Sequence, residues 1–156
     1  MHGGSGVFEQ SAEEVLRDAM AHLLEVDPAA VDDGELHALV VRVQAERSRL
    51  ALIAAELLSE WDARRLWESD GSRSAAHRLA RETRSSIQYA RDDIARGRRV
   101  RHLQATKTAV AEGRLSIDHV DLLGRANTPE RRALLERDEQ TLVDLCAKLN
   151  FAGGAR

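Results

Sequence analysis

The chain has 156 residues, which is enough for one hydrophobic core and short for two, so we expect a single domain over residues 11–150. A single cysteine, Cys146, excludes an intramolecular disulfide and any zinc site built from several cysteines. The formal net charge is −3, no apolar run reaches the roughly 18 residues of a membrane span, and the Gly-rich start lacks the apolar core of a signal peptide. We therefore expect a cytoplasmic protein with no membrane partner.

Composition predicts an all-α fold, with about five to seven helices, because Ala, Leu and Arg dominate and no strand-type alternation of β-branched residues occurs. Residues 1–10 read as a disordered start or a cloning scar. Ser11 and Glu14 then form a capping box that opens a first amphipathic helix, which ends before Pro28.

The next predicted helix is long, because no breaker interrupts the chain from Glu35 to Glu68. Its apolar residues recur at seven-residue spacing and form a continuous stripe, which includes Leu36, Val43, Leu50 and Leu57. This stripe needs a partner. We expect it to pack either on the rest of the domain or against the Leu36–Leu57 helix of a second copy, in a homodimer.

A helix-turn-helix is predicted at about residues 72–97. Ser72 is expected to cap its first helix, which ends near Arg84, and Ser85 with Gln88 reads as the capping box of the second. Two short helices joined by a tight turn, with small residues at their crossing, are typical of this motif, whose second helix enters the DNA major groove. The turn position that usually holds glycine is Arg84, a departure from the pattern.

The C-terminal part predicts three more helices. One is short and runs from Ala105 to Glu112, the next is capped by Ser116, and the last begins at Thr128. Residues 151–156 read as an unfinished tail, so we expect the chain to be truncated. The predicted architecture is thus a long N-terminal helix packed on a helix-turn-helix core.

Charge is distributed unevenly along this chain. Between Arg64 and Arg114 there are 13 Lys or Arg against 6 Asp or Glu, whereas the remaining residues hold 10 against 20. Such a basic middle indicates a surface that meets a polyanion. The alternative is a face that is merely solvated.

The predicted helix pair gives candidate contacts to double-stranded DNA. Four residues at the start of the second helix are candidates for base edges: Ser86, Gln88, Tyr89 and Arg91. Six flanking arginines are candidates for phosphate contacts: Arg73, Arg78, Arg81, Arg98, Arg99 and Arg101.

No residue pattern indicates catalysis. None of the six histidines is paired with another at helical spacing, and no phosphate-binding loop or nucleophile motif occurs. We therefore expect no catalytic residue, no metal site and no cofactor. Two functions remain open: a DNA-binding module, and a helical protein-interaction or dimerisation domain without nucleic-acid binding.

Three segments, DGSRSAAHRLARETRSS, ARDDIARGRRVRHL and AVAEGRLSIDHVDLL, carry a family resemblance. They resemble the actinobacterial domain of unknown function two-two-two, or thirteen-E-twelve repeat, family over about Glu35–Leu149, and AxxxGxLSxDHV is the most specific part. The resemblance implies a domain that commonly precedes an HNH endonuclease module, which this chain does not contain. The order of the helix pair, the short helix and EGRLSIDHVDLL is also similar to the DNA-binding core of ParB-type partition proteins.

Overall fold

The computed structural model describes residues 10–149, and within that range it contains no β-strand. The prediction of an all-α fold with five to seven helices is confirmed, with α1 Ala12–Leu24, α2 Asp33–Ala63, α3 Ala75–Thr83, α4 Ile87–Val100, α5 Gln104–Ala111, α6 Ile117–Ala126 and α7 Arg132–Lys148. Two 3-10 helices, Pro28–Ala30 and Leu66–Asp70, complete the described elements. The predictions for most of residues 1–10 and for residues 151–156 lie outside the described residues.

Backbone contacts divide the chain into two units, one that ends at Val40 and one that begins at Val41. The first unit contains α1, and its predicted capping box is present: Glu14 donates its backbone N–H to Ser11 Oγ at 3.3 Å, and Ser11 donates its own to Glu14 Oε2 at 2.8 Å. No residue of α1 is buried. That residues 11–150 form one domain stays a prediction.

The second unit has two buried apolar clusters. The larger one joins the middle of α2 to the end of α4 and to α5, α6 and α7, with Leu52, Leu103 and Val143 among its most buried residues. The smaller one holds the helix pair α3 and α4 together and consists mainly of alanine, with Ile94 as its one large buried residue. The core thus lies on both sides of α4.

Helices α2 and α4 cross with their backbones in contact at Gly97. A Cβ atom on Gly97 would lie 2.7 Å from the carbonyl oxygen of Ala55 and 3.1 Å from the backbone nitrogen of Ser59. No side chain fits in that space, so the crossing requires glycine. This contact sets the distance between the long helix and the helix pair.

Helix α5 is capped from a distant part of the sequence. Its N-cap, Leu103, has no side chain that can accept a hydrogen bond. Glu139 of α7, only 7% exposed, accepts hydrogen bonds from Thr106 N at 2.7 Å and from Thr106 Oγ1 at 2.8 Å. The buried carboxylate thereby satisfies one of the free N–H groups at the start of α5 and ties α7 to it.

Several predicted helix limits were wrong. The long helix ends at Ala63 instead of Glu68, because Arg65 adopts the left-handed conformation with φ of 53°. Ser72 does not cap α3: its N–H and hydroxyl bind Asp70, and Ser74 is the cap. Helix α7 starts at Arg132, after the turn that Thr128 opens.

The predicted apolar stripe of α2 is not its core-facing side in the second unit. The buried residues of the helix are Ser48, Leu52, Ala55 and Ser59. Leu50 is 39% exposed and Leu57 is 67% exposed. Close packing against the backbone of α4 favours the face that carries small residues, and the larger leucines are therefore left on another face.

We expect Gly97→Ala to lower the free energy of unfolding by about 1–3 kcal/mol, because the added methyl group must push two backbones apart. Gly34→Ala is the matched control, since a Cβ there lies 3.4 Å from a flexible side-chain oxygen of Asp32 and meets no backbone. Urea unfolding followed by circular dichroism measures both. Equal stabilities of the two variants would contradict the crossing.

Candidate nucleic-acid interface

The predicted helix pair is present as α3 and α4, joined by Arg84, Ser85 and Ser86. Ser85 donates its N–H to the carbonyl of Ala80 at 3.0 Å, which closes the end of α3. Ala80 and Ala90 are buried where the helices meet, so the predicted small residues do lie at the crossing.

The second helix of the pair is capped by Ser86, whose Oγ accepts a hydrogen bond from Tyr89 N at 3.1 Å. The predicted cap, Ser85, was one residue too early; its hydroxyl instead lies 2.9 Å from Thr83 Oγ1. Ile87, the first residue of α4, is 41% exposed, whereas Ala90 and Ile94 of the same helix are buried. The start of α4 is therefore open to solvent on most of its circumference.

The four base-edge candidates are all exposed, but they do not share one environment. Gln88 donates its side-chain amide to Asp92 Oδ1 at 3.0 Å, which orients the amide because a carboxylate can only accept. Arg91 makes no hydrogen bond or ion pair through its side chain with any described residue. Tyr89, 61% exposed, borders a groove between α2 and α4.

That groove has a volume of about 300 Å³ and is lined by residues of α2 and α4. Its lining is mostly apolar and includes Leu50, Ala51, Ala54, Ala55, Leu58, Tyr89, Asp93, Arg47 and Arg96. Tyr89 is thus placed beside α2, while Gln88 and Arg91 lie further round the exposed surface of α4.

Four of the six phosphate candidates are held by acidic residues of the protein itself. Arg78 donates to Glu82 Oε1 at 2.8 Å, and Arg81 pairs with Asp70. Arg98 and Arg101 of the α4 end reach back to α2. Arg98 donates to both oxygens of Asp62, at 2.7 Å and 3.1 Å, and Arg101 donates to Glu60 at 3.3 Å.

Two of these pairs shift the pKa of a partner. Hydrogen bonds from Ser72 first, and then from Arg81, lower the pKa of Asp70 to about 2. The bidentate hydrogen bonds to Asp62 raise the pKa of Arg98 above its ordinary value. Each contact therefore favours the charged form of the shifted group, Asp70 in one pair and Arg98 in the other.

The other two phosphate candidates, Arg73 and Arg99, are exposed and form no ion pair within the described residues. Arg84, the departure from the helix-turn-helix pattern, is likewise exposed and has no ion-pair partner within the described residues. Among residues 10–149, the exposed arginines in or next to the helix pair that have no acidic partner are Arg73, Arg84, Arg91 and Arg99. The sequence alone could have indicated Arg84 as a candidate contact, since this residue lies in the predicted turn between the two helices.

A family model described as Domain of unknown function (DUF222) matches residues 37–152. The chain belongs to this family. No curated protein matches the chain, and no solved structure does. The DUF222 match includes α3, α4 and their four unpaired arginines, whereas α1 precedes it.

Neither a metal centre nor a membrane span was found in the described part of the DUF222 chain. Residues 10–149 contain no group of three or more His, Cys, Asp or Glu side chains that could hold a metal ion. None of the helices described is long and apolar enough to cross a membrane. The arginine surface of the helix pair is the remaining candidate site.

Proposed function

We propose that the helix pair of this DUF222 domain binds double-stranded DNA, as the non-catalytic N-terminal part of an HNH endonuclease-type protein or as a regulator. The observation that carries the proposal is the contrast between two kinds of arginine around α4. Those next to Asp62, Glu60 and Asp70 are neutralised within the protein. The others, Arg73, Arg84, Arg91 and Arg99, have no carboxylate partner among residues 10–149.

An exposed arginine without a carboxylate partner adds little to stability, but it can neutralise a phosphate and release the counterions condensed there. Several such residues on one helix pair contribute to the binding free energy in a way that does not depend on the DNA sequence. Gln88 and Arg91 add side chains suited to base edges. The role of a parent protein with a nuclease module rests on the family resemblance, and we propose no catalytic step for this chain.

The unpaired arginines should dominate DNA affinity. Arg91→Ala should weaken binding to duplex DNA and reduce the slope of log affinity against log salt, by about 0.9 where the lost contact is a phosphate. Arg98→Ala is the matched control, since Asp62 already occupies its guanidinium. Fluorescence anisotropy with random and genomic duplexes, starting at about 50 mM salt, measures both. An equal loss in the two variants would contradict this division, and no binding by the wild-type chain would refute the proposal.

Gln88 should select adenine. Its amide keeps one N–H on Asp92 and leaves its carbonyl oxygen and second N–H for the N6 amino group and N7 of adenine. Gln88→Ala should then cost roughly 1–3 kcal/mol on a selected site and little on random DNA. Replacing that adenine by 7-deazaadenine, which lacks the N7 acceptor, should remove most of the difference. A uniform loss on all duplexes would contradict base reading.

The exposed stripe of α2 favours a second function, self-association. Leu50, Ile53 and Leu57 of the second unit are 39%, 52% and 67% exposed and lie within about two turns of one helix. The occupant we propose is the same helix of a second copy, as the seven-residue spacing of the stripe suggests.

Leu57→Asp should separate such a dimer into folded monomers, because Leu57 lies on the stripe and outside the buried clusters. Leu52→Asp should instead unfold the chain, since Leu52 is buried in the larger cluster. Light scattering gives the mass, and circular dichroism gives the helix content. A wild-type chain that stays monomeric at high concentration would rule out the dimer.

A further inference from the structure

Two residues other than glycine have positive φ in the described part of the chain, Arg65 at 53° and Arg84 at 56°. Left-handed backbone is disfavoured for residues with a Cβ atom and is cheaper for glycine. Gly71 and Gly113 take similar conformations elsewhere in the chain, with φ of 78° and 76°. An arginine at such a position therefore calls for a reason that lies in its side chain.

The side chain of Arg65 has such a reason inside the protein. Its Nε donates to Glu68 Oε1 at 2.8 Å, and its guanidinium lies 5.6 Å from the centre of the Trp67 ring. The ion pair and the cation–π contact both support the short helix that follows Ala63. Here the strained backbone is accompanied by local contacts.

The side chain of Arg84 has no such contact. It is exposed and has no hydrogen-bond or ion-pair partner among the described residues. The nearby carboxylate of Glu82 already accepts from Arg78 at 2.8 Å. Relative to glycine, Arg84 adds an exposed positive charge to this turn, and no carboxylate of the described residues pairs with it.

We infer that Arg84 contacts a phosphate of the DNA backbone, an inference that rests on the proposed DNA binding. Arg84 lies in the turn before α4, outside the helix that carries Gln88 and Arg91. A contact from the turn positions the helix pair on the duplex and reads no base, so its contribution is the same on every sequence. Strain at the turn is retained because the Arg84 side chain serves binding.

The test compares Arg84→Gly with Arg65→Gly, two variants that relieve the same kind of backbone strain. Arg84→Gly should keep or raise the thermal midpoint, yet weaken binding about tenfold near 50 mM salt on all duplexes and reduce the salt slope by about 0.9. Arg65→Gly should bind DNA like the wild type. Arg84→Lys, which keeps the charge, should recover most of the salt slope.

The outcomes separate this inference from the proposal on which it rests. If the wild-type chain binds no duplex in the anisotropy assay, the proposed function fails. If the wild type binds and Arg84→Gly binds equally well with the same salt slope, only the role of Arg84 is overturned. A loss of binding that accompanies a lower thermal midpoint in Arg84→Gly, with no recovery in Arg84→Lys, would make Arg84 a structural residue of the turn.

Discussion

The backbone contact between α2 and α4 at Gly97 is the constraint on which the second unit depends. Because no side chain separates the two helices there, α4 is held at one distance and its flanking residues must enter fixed environments. Ile94 enters the small cluster with α3, and Val100 enters the large cluster with α5 to α7. The orientation of Gln88 and Arg91 toward solvent follows from the same placement.

Ion pairs then fix the rotation of α4 about its axis. Arg96 donates to both oxygens of Asp121 on α6, each at 2.8 Å, and also to Asp93 at 2.7 Å. These hydrogen bonds, with Asp121 first, raise the pKa of Arg96. On another side Arg98 is held by Asp62 of α2. The Arg96 pairs are partly buried, and the one with Asp121 joins α4 to α6, so together with the Arg98 pair they specify the orientation of the helix.

Counting charges along the sequence did not reveal that acidic residues outside the basic stretch pair with arginines inside it. Glu60 and Asp62, which hold Arg101 and Arg98, lie just outside the basic stretch from Arg64 to Arg114. Counted along the chain they belong to an acidic flank, but in space they neutralise the basic middle. The local excess of positive charge in the sequence therefore overstates the charge that is available to a partner, and only the contacts reveal which arginines remain.

Local signals in the sequence predicted the fold well where one turn of chain decides the structure. The Ser11 capping box, the helix at Ser116 and the end of α3 at Arg84 all follow from residues within a few positions of one another. The sequence alone does not determine whether Ser85 or Ser86 caps α4, since both are serines and the choice depends on how α3 and α4 pack together. The capping of α5 by Glu139 could not be predicted from the sequence, because Glu139 and Thr106 lie 33 positions apart.

Alanine at the crossing of α3 and α4 has an energetic consequence for the candidate site. Four of the five buried residues in the small cluster are alanines, so it buries less apolar area than a cluster of leucines would. Polar contacts of Asp70 with Ser72 and Arg81 supplement it. Because the folded pKa of Asp70 is lowered to about 2, that support is present above the unfolded value near 4 and is lost as the pH falls through 2.

The small cluster that holds the helix pair has buried alanines and Ile94 at its centre, and Leu58, Trp61, Trp67 and Leu79 pack against it while partly exposed. A partner that binds only the folded pair stabilises it by mass action, and a polyanion at the unpaired arginines would act in this way. The large cluster, with Leu103 and Val143 fully buried, keeps α4 in place from its C-terminal half without that help. The two clusters therefore support different parts of the unit, the large one the C-terminal half of α4 and the small one the helix pair with the candidate site.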